Sequence, residues 1–414
     1  MRFPHMVQIT QELYCAPLTD VAGTVRRQLD KINLATQLKP GMKIAVTAGS
    51  RGIAGLPEVL RATVAYLQEH DTKPFVIPAM GSHGGATAEG QVAMLKSIGV
   101  TEESIGAPIH SNMKAVLLGE TVSGIPIYMD PNAAKADGII AINRIKEHTD
   151  FADDIESGLL KVLSVGLGKD VGAKALHARG IERMGKSVIE VARAVIDNKP
   201  VFCGIALMED SYQNIALVEA LPPEKIEAGE RRLLKRMKGH AARLPFEQID
   251  VLIIDRIGKE ISGTGMDPNV TGRYATKVNR PGRQTDCHTI VVLGLTEASK
   301  GNATGIGTAD LIPSRVLEQM DVQATYTNVL TSGNFAFARI PVVSPTDRTA
   351  VIAALTSGLA KSAAEIRVVR IKDTLHIGTL AISEGLLAEA EANPKLKVAS
   401  KLSPMKFDEE GTLI

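Results

Sequence analysis

Lys43-Ile44-Ala45-Val46-Thr47, followed by Ala48-Gly49-Ser50-Arg51-Gly52, is the stretch on which the fold turns. The first five residues read as a buried strand. The glycine-containing loop after them leads to Pro57, which suits the first turn of a helix, and Val59, Leu60, Val64 and Leu67 continue that helix on an apolar face. The rhythm returns twice. Pro74-Phe75-Val76-Ile77-Pro78 runs into Met80-Gly81-Ser82-His83-Gly84-Gly85. Thr87 then caps a helix with Val92, Leu95 and Ile98, and Gln91 stands near the place of a capping-box partner. Gly138-Ile139-Ile140-Ala141-Ile142 leads into Asn143-Arg144-Ile145-Lys146-Glu147-His148. Strands alternating with helices predict βαβ units, hence an α/β fold with mainly parallel sheets flanked by helices.

The charged stretch 219–244 reads as a connecting helix whose charges form a solvated face. Beyond it, residues 249–254, 289–293, 340–343 and 367–371 read as strands of a second α/β series. A chain of 414 residues exceeds one ordinary core of about 150–250 residues. The expectation is therefore an N-terminal catalytic domain over 1–245 and a C-terminal α/β domain over 246–414, with the active site in the interdomain cleft.

Composition narrows the function. Basic and acidic residues number 47 and 46, a net charge of +1 that gives no pull toward nucleic acid or an anionic membrane. Aromatics are 3% with no Trp, which removes the stacking surface of a single-strand binder. Cys15, Cys203 and Cys287 are odd in number and far apart, so they predict reduced thiols, neither a disulfide framework nor a cysteine zinc site. The start of the chain lacks the apolar stretch of a signal peptide and no run is long enough to span a membrane, so the expected location is cytoplasmic.

In open parallel sheets, ligands bind beyond the carboxyl ends of the strands. Three such loops here carry Arg51, His83, and the group Arg144, Lys146 and His148. Two imidazoles move protons near neutral pH, and a guanidinium grips a carboxylate two-pronged. His70, His110, His240 and His376 read instead as surface or turn residues. Gly81-Ser82-His83-Gly84-Gly85 is also a plausible anion-binding turn, yet it matches neither the Walker nor the GxGxxG pattern. Residue types and spacing alone reach an enzyme acting on an organic acid, with the reaction open.

The same residues, in order, resemble the nickel-dependent lactate racemase family of 2-hydroxyacid racemases and epimerases, most firmly from Ile44 to Gly180. The matching features are the loop closing on Arg51, the Gly81-Ser82-His83 turn followed by Glu89, and a set comprising His148, the segment Ser157-Gly158-Leu159-Leu160, Lys161 and His177. His177 lies sixteen residues after Lys161 (161 + 16 = 177). The resemblance implies a nickel pincer nucleotide, tethered at Lys161 in a segment that includes Ser157 and Gly158, with His177 as the protein's nickel ligand. It also implies hydride transfer at C2 of a 2-hydroxyacid, with His83 and His148 as bases on opposite faces, Arg51 on the carboxylate, and cofactor-building enzymes as partners. Lactate racemase has an Asp where this chain has Ala48, which points to another acid, larger or sugar-derived. Asp150, Asp153, Asp154 and Glu156 are either solvated or placed to meet the hydroxyls of such a substrate, the solvated reading being the plainer. In the long loop from Gly258, residues Lys259, Asp267 and Asn269 are candidates to contact substrate, and 299–302 is a second candidate segment on that edge. The competing class is a nickel-independent lyase, dehydratase or hydrolase using the same histidines as acid and base.

Overall fold

The computed structural model describes residues 3–49, 52–275, 285–357, 359 and 361–414. Two compact units result, residues 14–241 and residues 1–13 with 242–414. The boundary expected at 245/246 thus falls at 241/242. The first thirteen residues belong with the C-terminal unit, because strand β1 (His5–Gln11) buries Val7 and Ile9 there and pairs antiparallel with two of its strands.

In the unit 14–241, helix α1 is Val21–Lys31, strand β2 Lys43–Ala48, helix α2 Leu56–Glu69, strand β3 Lys73–Pro78 and helix α3 Ala88–Ser97. An antiparallel hairpin, β4 (Val116–Glu120) and β5 (Pro126–Met129), precedes β6 (Gly138–Arg144). After β6 come a short helical turn Leu159–Lys161, a π turn Val162–Gly166, and helices α4 (Lys169–His177) and α5 (Met184–Asn198). Strands β7 (Val201–Glu209) and β8 (Ile215–Leu221) and helix α6 (Ile226–His240) complete the unit. The sheet order is β3-β2-β6-β7-β8, parallel except for β8. One apolar core lies on each face of this sheet, one holding Leu56, Leu60, Val64 and Leu67 of α2, the other Val188 and Ala192 of α5 with Leu233 of α6. Thr87 caps α3 as expected, but Val92 is exposed, and Gln91 lies fully buried.

The other unit contains β9 (Gln248–Ile254), β10 (Asp286–Val292), β11 (Leu311–Pro313), β12 (Val342–Ser344), β13 (Val368–Ile371), β14 (Thr379–Ser383) and β15 (Leu396–Val398). Its order is β12-β11-β10-β9-β13-β14-β1-β15, parallel through β13 and antiparallel beyond it. Among the described residues, no helix is long and apolar enough to cross a membrane, and the three cysteines are free thiols.

Strand β2 pairs with β3 as far as Ala48 and Pro78, and β6 pairs with β7 as far as Arg144 and Leu207. Between β2 and β6 the ladder stops earlier, at Val46 and Ile140. There the buried Thr47 hydroxyl accepts the Ile142 N–H at 2.9 Å, replacing a ladder bond. Since β2 was followed by β3 on one side and β6 on the other, this is the topological switch point, where ligands of such sheets sit. Thr47→Val keeps the shape and leaves a buried N–H without its acceptor. Urea unfolding is expected to show a loss of about 1–3 kcal/mol, and an unchanged midpoint would mean that the hydroxyl bridge contributes nothing.

Candidate active site

Arg51 lies outside the described residues. The chain just after it is anchored: the Arg144 guanidinium at the end of β6 pairs with Glu209 at the end of β7 and donates to the Gly52 carbonyl at 3.4 Å. Glu209 in turn accepts the Ala54 N–H at 2.8 Å. Arg144, a candidate for ligand contact in the sequence, thus serves the loop.

His83 is an exposed residue in the turn beyond β3. The buried Gln91 amide, one helical turn into α3, donates to the carbonyls of Gly81 (2.9 Å) and His83 (3.3 Å). Gln91 therefore pins the histidine loop instead of closing a capping box. Gly84 permits this packing. Its φ is +66°, and a Cβ there would lie 2.6 Å from the backbone of Gly90 and Gln91.

His148 follows β6 and is half-buried. Its ring stacks on Phe151, centroids 4.3 Å apart, and its Nδ1 accepts the Asp150 N–H at 3.0 Å. With Nδ1 accepting, a neutral ring carries its proton on Nε2. The His148 N–H itself donates to Glu156 Oε2 at 2.5 Å. Glu156 is fully buried, accepts also from the Asp153 N–H, and pairs with Lys238 of α6 at 2.6 Å. The acidic segment is therefore not uniformly solvated. Asp154 is exposed and pairs with Arg231, whereas Glu156 is committed to the loop and to Lys238.

The same segment closes on β6. Lys146 and Ser157 exchange backbone hydrogen bonds, and the Asn143 amide donates to the Gly158 carbonyl at 2.7 Å. Gly158 has a steric reason to be glycine, since a Cβ would lie 2.1 Å from the Glu230 carboxyl. That carboxyl, fully buried, accepts the Leu160 N–H at 2.9 Å at the head of the turn that presents Lys161. Burial pushes Glu230 up to about 7, against the opposing pull of the Leu160 and Leu159 amides. The charges of α6, expected to be solvated, therefore include two that face inward to this segment, Glu230 and Lys238.

The Lys161 ammonium lies 5.7 Å from the centroid of the Phe151 ring on which His148 stacks. His177, the last residue of α4, is exposed, yet desolvation, then the Lys161 charge, hold its pKa below the ordinary imidazole value. A lowered pKa favours the neutral imidazole, the form that ligates metal. Helix α4 is fixed at its other end by Lys169, wholly buried, which pairs with the equally buried Asp130 at 2.9 Å and donates to the Pro78 carbonyl at 2.8 Å. Gly81 N–H to Gly166 O, 3.3 Å, joins the His83 turn to the π turn. The structure thus brings His148, Lys161 and His177 together and ties the His83 turn to the segment between the last two. Among the described residues, no group of three or more His, Cys, Asp or Glu could hold a metal ion.

In the C-terminal unit, Lys259 donates to Asn328. Asp267 caps the turn Pro268–Thr271 and accepts from the Asn269 backbone and side-chain amides, and Tyr274 donates to Asn269 at 3.3 Å. These bonds give Asp267 and Asn269 work in folding the loop. The sequence alone carried no sign of Glu230, Lys238 and Lys169 in these roles; Gln91 was marked only as a capping-box position and Glu156 only as part of an acidic segment.

Residues 5–177 match the family model of the lactate racemase N-terminal domain. The chain is similar in structure to the lactate racemase apoprotein of Thermoanaerobacterium thermosaccharolyticum, at 14% identity and a TM-score of 0.53, over 89% of this chain and 94% of that one. A protein from Thermotoga maritima matches at 14% identity and a TM-score of 0.47, over 68% of this chain and 72% of that one. No curated protein matches the chain by sequence.

Glu230 yields a stability test. A carboxyl whose pKa is raised on folding keeps its proton in the folded chain while the unfolded chain ionises, so stability falls as pH rises from 4.5 to about 7. Glu230→Gln cannot ionise. Its melting temperature is expected to match the wild type near the bottom of that window and exceed it by a margin that grows toward the top. Parallel pH curves for the two proteins would rule out a buried, raised Glu230.

Proposed function

We propose that this chain, whose residues 5–177 match the lactate racemase N-terminal domain model, is a racemase or epimerase inverting C2 of a 2-hydroxyacid with the help of a nickel pincer nucleotide. The observation that carries this reading is the Lys161 ammonium beside the Phe151 ring on which His148 stacks, with desolvation and then the Lys161 charge lowering the His177 pKa. A single neutral imidazole beside a lysine suits a cofactor that brings its other metal donors with it, and Ni(II) accepts one nitrogen among soft donors. His177 would ligate the metal and Lys161 would form the tether, with Ser157 and Gly158 shaping the segment that presents it. When bound, such a cofactor supplies a hydride acceptor.

The chain's own residues would do the rest. Arg51 would hold the substrate carboxylate, two-pronged, at the switch point. His83 would take the hydroxyl proton as general base. His148, its proton on Nε2, begins as a hydrogen-bond donor to the substrate oxygen, and must release the Asp150 N–H before its ring accepts a proton in the opposite direction. Lys259, in the long loop of the C-terminal unit, is the proposed further contact to substrate, with Asp267 and Asn269 shaping that loop. Ala48 brings no carboxylate to the end of β2, which favours an acid other than lactate, with larger and sugar-derived acids the first to try.

The test is protein co-produced with cofactor-building enzymes and offered a panel of single-enantiomer hydroxyacids in deuterated water. Expected are bound nickel, a mass increase on the peptide containing Lys161, and inversion without deuterium at C2. His83→Ala and His148→Ala are expected to lose about 10²–10⁴ in kcat while keeping nickel and the mass increase. Deuterium at C2, or full activity in nickel-free protein, would transfer the histidines to simple acid–base chemistry.

A further inference from the structure

Helix α6 reaches the site chiefly through two side chains, Glu230 and Lys238. Eight residues apart, Glu230 and Lys238 reach two points of the segment that joins His148 to Lys161. Lys238 Nζ bonds Glu156 at 2.6 Å and the Asp153 carbonyl at 3.3 Å. Glu156, with no exposure of its own, passes that contact to the His148 N–H. Glu230 receives the Leu160 N–H, next to Lys161. Arg231 adds an outer contact to Asp154 at 2.5 Å. One rigid helix therefore holds both ends of a loop that has no regular structure between Lys146 and Ser157 except their own bridge.

We propose that α6 is a positioning helix: its Lys238–Glu156 pair fixes the His148 ring, its Glu230 fixes the Lys161 turn, and together they set the spacing of the two. The consequence for His148 is specific. Its Nδ1 accepts an N–H from Asp150, two residues on in the same loop, so the ring keeps one tautomer only while that loop is held. Glu156 is buried with Lys238 and two backbone amides bonded to it; removing Lys238 takes a cation from a buried carboxylate and loosens the loop that it holds. This inference rests on the reading of His148 as a reacting group, but its primary observable does not.

That observable is the ¹⁵N spectrum of the His148 ring in the full-length chain, assigned by its loss in His148→Gln. In wild type the signals should be those of a single neutral tautomer, with a pyridine-like Nδ1 and a pyrrole-like Nε2. Lys238→Met should average or reverse that pattern, and Lys238→Arg, which keeps a cation, should restore it. In cofactor-loaded protein, Lys238→Met should lower kcat about 10- to 100-fold with KM within about twofold, again rescued by Lys238→Arg. Glu156→Gln, measured alongside, keeps an acceptor for the His148 N–H and covers the case in which Lys238→Met fails to fold; it should give a smaller change in the same direction. An unchanged His148 spectrum in folded Lys238→Met or Glu156→Gln protein overturns the proposal. If the spectrum changes while His148→Ala keeps full activity, α6 positions the ring and it is the role given to His148 that fails.

Discussion

Between β2 and β6 the ladder ends at Val46 and Ile140, and the Thr47 hydroxyl takes over the Ile142 N–H, so the strands stop exchanging backbone bonds before either of them ends. The neighbouring pairs continue to the ends of their strands. Parallel pairing sends every carboxyl end of β3, β2, β6 and β7 to the same edge, and the early stop opens that edge at one place. The loops on either side must then be held from outside the sheet. Arg144 and Glu209 hold the loop after β2, and Asn143 holds Gly158 after β6. Consecutive residues of β6 thus point their side chains to opposite sides and serve both banks.

Loops of this length carry backbone amides that no ladder satisfies, and buried amides must be satisfied somehow. Here buried polar side chains do it: Gln91 of α3 for the His83 turn, and Glu156 within the loop and Glu230 of α6 for the segment from His148 to Lys161. Burying a carboxylate is costly, and the cost is offset only when charge and hydrogen bonds are both answered. Glu156 has Lys238 and two amides, and it stays paired. Glu230 accepts backbone N–H groups, and burial lifts its pKa to about 7.

The sheet and its edge were legible because burial on both faces writes a near-continuous apolar run, as in 43–48, 73–78 and 138–144. His83 and His148 followed from those runs by the strand-end rule alone. The positioning residues did not. Helix α6 carries charges over most of its surface, and periodicity cannot say that Glu230 and Lys238 face inward, because what neutralises them lies seventy or eighty residues earlier, at Leu160 and Glu156. For the same reason β1 was assigned to the wrong side of the first boundary: its partners, β14 and β15, are at the other end of the chain. Local pattern reports a residue's chemistry and its face; it is silent on long-range pairs.

The sixteen-residue interval between Lys161 and His177 shows the same limit from another direction. In one unbroken helix that interval would span about 24 Å and turn the two side chains to nearly opposite faces. Lys161 nonetheless acts electrostatically on His177. What shortens the path is the π turn Val162–Gly166 followed by Lys169 in left-handed backbone at φ +56°, a conformation that costs a non-glycine residue about 1 kcal/mol or more. The buried Lys169 side chain is tied to Asp130 and to the Pro78 carbonyl, which holds the bend in place. The buried ion pair holds the bend that separates the turn of Lys161 from the helix of His177, so the two side chains are not related as they would be in one continuous helix.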